Sequence, residues 1–241
     1  MARRRLLAFL FFLALPAVSA HAVTREEVEA GAARLYKDRI EEARQRFELD
    51  ADAAFRDRVQ RIASGLIAQA EREPGGAAGL AWEIHTTANP EENASCMAGG
   101  KLLIGQDYVT RLGLNDVELA MLIAHEMEHA LLQHNLKEVR EALRLEPERE
   151  QQPYAALEYA VDHDEALMRK LNGIDQQQEL EADHEGLLLA SRTGWPATGL
   201  ANYFRKLARH DPSPNADRRE HPAPMRRWHA AQELVKELNS S

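Results

Sequence analysis

The stretch NDVELAMLIAHEMEHALLQH, residues 115–134, holds the pattern His-Glu-x-x-His at positions 125–129. Asn115 and Glu118 stand where a capping box needs them, so the stretch is predicted to be a helix that begins at Asn115. Residues four apart on a helix differ by about 40° around the axis, so His125 and His129 project from one face. The apolar run LAMLIA before the motif predicts that this helix is buried.

This spacing is typical of a zinc site with hydrolytic chemistry. The two histidines can share one ion, whereas Glu126 lies about 100° from His125 and can instead reach a water on the metal. Zinc lowers the pKa of its bound water towards about 7, and a neighbouring carboxylate can take the proton and pass it to the leaving amine. The alternative, two solvated histidines on a surface helix, disagrees with the apolar run.

A catalytic zinc site usually has three protein ligands and one open position. The candidates for the third ligand lie in ELEADHEG, residues 179–186, and are Glu179, Glu181, Asp183, His184 and Glu185. Helical periodicity places Glu179 and Asp183 on one side of a buried stripe and Glu181 and Glu185 on the other. Helical periodicity alone does not decide which of these two pairs supplies the third metal ligand.

The pair HEMEHALLQH and ELEADHEGLLLASRTGWP, some fifty residues apart, resembles the M48 family of zinc metallopeptidases, in particular its soluble exported branch. The resemblance covers about residues 80–230. It implies a zincin-like α+β fold, mainly helical, with a small sheet beside the motif helix. It also implies one zinc ion held by His125, His129 and Glu179, with Glu126 as catalytic base and Asp183 fixing the tautomer of a ligand histidine.

The segment NASCMAGGKLLIG, residues 93–105, resembles the edge strand and glycine turn that precede the active helix in this family. Backbone pairing along such a strand tolerates many substrate sequences. The expected substrate-binding residues are Asn93, Ala94, Ser95 and Cys96.

The segment HPAPMRR resembles the C-terminal H-P-x-x-x-x-R of the family and places His221, Pro222 and Arg227. His221 follows a polar, proline-rich loop, residues 211–224, and is a candidate for contact with the open metal position or with the oxyanion. Arg227 is expected to tie the last helix to an acidic neighbour. His134 is expected to be a hydrogen-bonding residue behind the ligands, and His184 is expected to be packed in the core.

The remaining elements follow from local patterns. Strands are predicted at residues 80–88 and 101–105, with part of the segment between them also extended. Helices are predicted from Thr24, at about 53–71, at 115–134, at 157–171, from Gly173 to Gly194, from Pro196 and at 225–238.

The N-terminal sequence predicts a signal peptide, residues 1–20. Three arginines precede the apolar run LLAFLFFLALPAV, and small residues then allow cleavage after Ala20 or, alternatively, after Ala22. The alternative is an uncleaved anchor, which the short run and Pro16 disfavour. The predicted mature chain, residues 21–241, is a single domain with N-terminal helices at 24–72 and a catalytic core at 80–230. No transmembrane segment is expected after signal removal, and the predicted location is the periplasm.

The full chain of 241 residues has a formal charge of −9, which becomes about −12 without the leader, since three of the 30 basic residues lie there. Such a surface repels phosphate backbones, so nucleic acid is not an expected partner. Cys96 is the only cysteine, which excludes an internal disulfide and a multi-cysteine zinc site.

The motif and the family resemblance together predict a zinc metalloendopeptidase of the EC 3.4.24 type, and the resemblance implies misfolded or unassembled envelope proteins as its substrates. One alternative is a chaperone-like binding protein whose zinc site is plugged and mostly silent, which the loop carrying His221 favours. Another alternative is a zinc ion with a purely structural role. The presence of Glu126 argues against this alternative, because a structural zinc site does not require a glutamate at that position.

Overall fold

The computed structural model describes residues 23–73, 79–218 and 221–240. Within these ranges, nine α-helices and one short 3-10 helix surround a small sheet. The first elements are α1 (Arg25–Gln45), α2 (Ala53–Ala70), β1 (Glu83–Thr87), β2 (Ala94–Met97), β3 (Lys101–Gly105) and α3 (Gln106–Arg111). The later ones are α4 (Asp116–Leu131), α5 (His134–Leu145), the 3-10 helix (Pro147–Gln151), α6 (Tyr154–His163), α7 (Glu165–Arg192), α8 (Ala197–His210) and α9 (Pro224–Ser240). The predicted α+β class, mainly helical with a small sheet, is confirmed.

The predicted signal peptide, residues 1–20, lies outside the described residues. Within the described ranges, no helix combines the length and the apolar character needed to cross a membrane.

The three strands form one sheet in the order β1-β3-β2. β1 runs parallel to β3, and β2 runs antiparallel to it. The turn from β2 to β3 passes through Gly99 and Gly100, whose φ angles of 79° and 81° lie in the region that glycine enters at no steric cost. Among the described residues, the strand order leaves β2 at an edge of the sheet, with one side of its backbone not used in sheet pairing.

α4 is the central helix of the fold. Its N-terminus has the predicted capping box, since the Asn115 side chain accepts from the Glu118 backbone N–H and the Glu118 carboxylate accepts from the Asn115 N–H. Eleven of its sixteen residues are buried, because α2, α7, α8 and β2 all pack against it. A helix held from several sides gives the side chains of its motif fixed positions.

α4 is shorter than predicted, and this changes the position of His134. The helix ends at Leu131, because Gln133 adopts a left-handed conformation with φ 56°. A new helix, α5, then begins at His134, in a region for which no separate helix is predicted. His134 is therefore the first residue of α5 and points back towards the end of α4.

α7 is one continuous helix, so the predicted division at Gly173 is wrong. The break falls instead at Asp164, whose carboxylate accepts from the backbone N–H groups of Ala166 and Leu167 and caps α7. A glycine inside a helix costs about 1 kcal/mol relative to alanine. Burial of Leu167 and Leu171 before Gly173, and of Leu187 after it, holds the helix together across this position.

α4 and α7 approach each other closely at Gly186. A Cβ atom added there would lie 2.9 Å from the backbone nitrogen of His125. Only glycine permits this backbone contact without a shift of the helices. The contact fixes the distance between the motif on α4 and the acidic residues on α7.

We expect Glu128→Gln to stabilise the protein at pH 8. Burial, followed by the nearby carboxylates of Glu185 and Glu73, raises the pKa of Glu128 to about 7. Because the folded-state pKa exceeds the unfolded one, the free energy of unfolding falls as pH rises from about 4.5 to 7. Above pH 7 the ionised carboxylate costs up to about 3 kcal/mol, which the amide avoids.

Urea unfolding of both proteins at pH 8 and pH 4.5, with chelator present throughout, measures this effect. The gain should be confined to pH 8. Glu233→Gln, on the exposed surface of α9, is the matched control and should change little at either pH. Equal or lower stability of Glu128→Gln at pH 8 would contradict the prediction.

Candidate active site

His125 and His129 on α4 face Glu179 on α7 and form a group that can hold a metal ion. The two histidine Nε2 atoms lie 3.3 Å apart. The Glu179 carboxylate lies 3.3 Å from His129 Nε2 through Oε1 and 3.6 Å from His125 Nε2 through Oε2. Tetrahedral ligands at zinc bond lengths would be separated by about 3.3–3.4 Å. The spacing and the donor types therefore fit a zinc ion.

Asp183 and Arg227 form a buried ion pair behind this group. Arg227 donates from Nε to Asp183 Oδ2 at 2.7 Å and from Nη2 to Oδ1 at 2.6 Å. Its Nη1 lies 3.1 Å from Glu179 Oε2, and its guanidinium packs over the Phe204 ring. The prediction that Arg227 ties the last helix to an acidic neighbour is confirmed.

The charge of Arg227 favours the ionised form of the Glu179 and Asp183 carboxylates. Burial by itself would raise the pKa values of Glu179 and Asp183. The Arg227 guanidinium, together with the histidines, outweighs burial and holds both pKa values below their usual range. Both groups are therefore anionic and able to accept hydrogen bonds or bind a cation.

Asp183 is also positioned to orient His125. Its Oδ1 lies 2.9 Å from His125 Nδ1, on the side of the ring opposite Nε2. A proton held at Nδ1 leaves Nε2 with a lone pair that points towards His129 and Glu179.

His134 lies behind His129. The two Nδ1 atoms are 3.2 Å apart, and His134 is 2% exposed. Burial, followed by the proximity of His129, lowers the pKa of His134 to about 3. It is therefore neutral near pH 7 and can form a hydrogen bond with His129.

The other residues of ELEADHEG point away from the histidine pair. Glu181 is half-exposed and lies 3.4 Å from His134 Nε2 and 3.5 Å from Lys137 Nζ. The expectation that His184 is packed in the core is wrong. Its side chain is 52% exposed and contacts Glu185, because Asp183 and Gly186 occupy the inner face of α7.

His221 lies at the rim of the metal-binding group. Its Nδ1 is 2.9 Å from Glu179 Oε2, and half of its side chain is exposed. Two described residues beside this loop position are held by hydrogen bonds: the Arg218 N–H donates to the His221 carbonyl, and Gln176 donates to the Arg218 carbonyl. The Ala223 N–H donates to the Asp217 carboxylate.

A cleft of about 530 Å³ opens beside the three candidate ligands. Glu126 lines it, as do the predicted substrate-binding residues Asn93, Ala94, Ser95 and Cys96. The edge strand β2 thus borders the same space as the motif helix. Burial, and then the charge of Glu126, raise the pKa of the Cys96 thiol well above its ordinary value, so this thiol is not a nucleophile at neutral pH.

Two tyrosines of this cleft were not predicted from the sequence. Tyr108 lies on α3, a short helix without a distinctive local pattern, and Tyr203 lies on α8. Their hydroxyl groups are 3.4 Å apart. The two residues are 95 positions apart in the chain, so no local spacing could indicate that they meet.

Comparison with known proteins gives a consistent assignment. The family described as Peptidase family M48 matches residues 53–235. The mitochondrial metalloendopeptidase OMA1 of Arabidopsis thaliana is 26% identical, and the match covers 54% of this chain and 27% of that protein. Its counterpart from Saccharomyces cerevisiae is also 26% identical, covering 57% of this chain and 40% of that protein.

A third relative is the beta-barrel assembly-enhancing protease of Yersinia pestis. It is 25% identical, with 53% of this chain and 28% of that protein covered. The matches therefore span well under half the length of each relative.

Proposed function

Because the chain belongs to peptidase family M48, we propose that it is a zinc-dependent endopeptidase. The observation that carries the proposal is the spacing of His125, His129 and Glu179, which fits three corners of a zinc tetrahedron, with Glu126 in the adjoining cleft. A structural site would not need an open cleft or a carboxylate beside it.

In this proposal, His125, His129 and Glu179 hold one zinc ion. When bound, the ion supplies Lewis acidity that activates water and polarises a carbonyl group. The carboxylate of Glu126 takes the proton of the attacking water and returns it to the departing amine nitrogen. Asp183 keeps a proton at His125 Nδ1, and Arg227 keeps Asp183 anionic.

We propose unfolded polypeptides as the substrates. The side of β2 that pairs with no other described strand can form backbone hydrogen bonds with an extended chain at residues 93–96, and such pairing is tolerant of sequence. An extended chain is available in misfolded or unassembled proteins and is absent from most folded ones. The predicted signal peptide and the name of the Yersinia relative support the periplasm as location and envelope proteins as targets.

The direct test is the hydrolysis of unfolded casein by the purified protein. Cleavage should require metal, stop with a chelator and return when zinc is added back. Metal analysis of the active protein should give one zinc per chain. Chelator-resistant cleavage, or a fully zinc-loaded protein that does not cleave casein, would contradict the proposed activity.

The position of His221 favours a second candidate function. A histidine in contact with Glu179 at the rim of the cleft can restrain access to the metal. A protein restrained in this way for most of the time would act mainly as a chaperone-like binder of unfolded chains, with weak or occasional cleavage.

We expect His221→Ala to raise casein cleavage several-fold, because the closed arrangement that competes with substrate is removed. The melting temperature should stay the same, since the side chain is half-exposed. The control is His184→Ala, which changes an exposed histidine that does not line the cleft and should leave the rate unchanged. A loss of about 10²- to 10³-fold would instead indicate that His221 donates a hydrogen bond to the oxyanion.

A further inference from the structure

We propose that a groove between α8 and α9 binds the C-terminus of a separate polypeptide, with Arg205 holding the terminal carboxylate. The groove has a volume of about 320 Å³. It shares no lining residue with the metal cleft among the described residues. The inference therefore does not depend on the proposed peptidase activity.

The groove lies on the side of α8 that faces away from the metal cleft. Tyr203 and Leu207 line the cleft, and Arg205 lies two residues from each of them, about 200° round the helix axis. Asn202 and Thr198 precede Arg205 by three and seven residues, so they share its face and line the groove with it. α8 thus separates two binding spaces.

The floor of the groove is apolar and belongs to the core. Ala201 is 6% exposed and Val235 is 8% exposed, and both are part of the main hydrophobic cluster. Trp228 is partly buried and packs against the same cluster. An aliphatic side chain that enters the groove would therefore lie on packed carbon surfaces.

The charged residues of the groove are cationic. Arg205 and Lys236 line it, and no aspartate or glutamate does within the part of the chain that the structure describes. Lys236 is 69% exposed and pairs with Glu233, but an exposed pair of this kind contributes little and opens readily. In a chain with a formal charge of −9, this groove is locally complementary to an anion.

Arg205 lacks an acceptor for a buried donor. Its Nε atom is buried and has no hydrogen-bond partner among the described residues. Buried polar groups are nearly always hydrogen-bonded, because an unmade bond costs free energy. The buried Arg227 of α9 is satisfied by Glu179 and Asp183, whereas no such carboxylate lines the groove at Arg205. A carboxylate from another molecule fits the planar guanidinium and would supply the missing charge.

The remaining polar residues favour a peptide over a fatty acid. Asn202 and Gln232 line the groove, and their side-chain amides can both donate and accept hydrogen bonds. These groups match the N–H and C=O of a peptide bond, which a fatty acid does not have. The volume is at the lower end of the range of about 300–1,000 Å³ for ligand sites. It therefore suits the last one or two residues of a chain that ends in an apolar side chain.

The test uses Trp228 as a reporter inside the groove. The chain has three tryptophans, so its indole N–H signals can be assigned in NMR spectra with single Trp→Phe variants. Titration with N-acetyl-alanyl-leucine should shift the Trp228 signal. The C-terminal amide of the same dipeptide should bind at least about tenfold more weakly, because it cannot form charge-assisted hydrogen bonds with Arg205. Hexanoate, which has no peptide bond, should also bind more weakly.

Arg205→Gln should lower the affinity for the acid at least about tenfold and leave the affinity for the amide unchanged. Its melting temperature should not fall, since the change removes a cation without a partner. Arg209→Gln is the matched control, because Arg209 is an exposed arginine of the same helix that does not line the groove. It should bind both probes as the wild type does.

Three results would overturn the site: equal affinities for the acid and the amide, unchanged binding of the acid by Arg205→Gln, or a Trp228 signal that does not move. Hexanoate binding as tightly as the dipeptide would overturn the polypeptide C-terminus as the occupant. If Arg205→Gln does not fold, the comparison of acid and amide in the wild type still decides. Casein cleavage plays no part in these measurements, so their outcome is separate from that of the peptidase test.

Discussion

Glu126→Gln is expected to reduce casein hydrolysis by about 10²- to 10⁴-fold, which is the contribution of a general acid–base group. Glutamine has nearly the shape of glutamate, but its amide cannot take a proton from water. Glu126 is not among the three candidate ligands, so the zinc content should stay at one per chain. The measurements are the initial cleavage rate at saturating zinc and metal analysis of the same sample.

Glu126→Asp is the companion variant for this experiment. It keeps a carboxylate but withdraws it by one methylene group, so partial activity should remain. Full activity in Glu126→Gln would contradict the proposed role of this residue. A loss of activity together with a loss of zinc would mean that the substitution disturbs the ligands rather than the proton transfer.

Glu179→Ala is expected to lower zinc affinity by more than the 10- to 100-fold that is usual for a residue behind the ligands. The change removes one of three candidate ligands and leaves Arg227 buried beside the histidines with one carboxylate fewer. Its positive charge then opposes a cation at the site. Competition with a chelator of known affinity gives the zinc dissociation constant.

Glu181→Ala is the matched control for Glu179→Ala. It removes the same group from the same helix two residues away, where the carboxylate contacts His134 and Lys137 instead of the ligands. Its zinc affinity should stay close to that of the wild type. A larger loss in Glu181→Ala than in Glu179→Ala would reject Glu179 as the third ligand.

Local signals were sufficient to predict much of the helical framework. The start of α4 could be read from Asn115 and Glu118, because a capping box involves only four consecutive residues. β3 was predicted with its observed bounds, since an apolar run after two glycines is also a local pattern. The end of α4 was not predicted, because nothing in the sequence around Gln133 requires a left-handed conformation.

The arrangement of the candidate site depends on contacts that local patterns do not contain. Periodicity could not separate Glu179 from Glu181, since both border the buried stripe of α7. The difference in the structure comes from Arg227 on α9, whose guanidinium contacts Glu179 and Asp183 from 48 and 44 residues away. The family resemblance selected Glu179. His184 is exposed because Asp183 and Gly186 occupy the inner face of α7.

The placement of the candidate ligands on α4 and α7 has a consequence for folding. His129 and Glu179 are about 50 residues apart, so an ion held between them would cross-link the chain as a disulfide does. Closing a loop of that size in the unfolded chain is worth about 4 kcal/mol in the entropic model of cross-links. With Cys96 as its only cysteine, the chain has no internal disulfide to serve this purpose. Removal of a metal ion held there would then lower the free energy of unfolding as well as change the chemistry of the cleft.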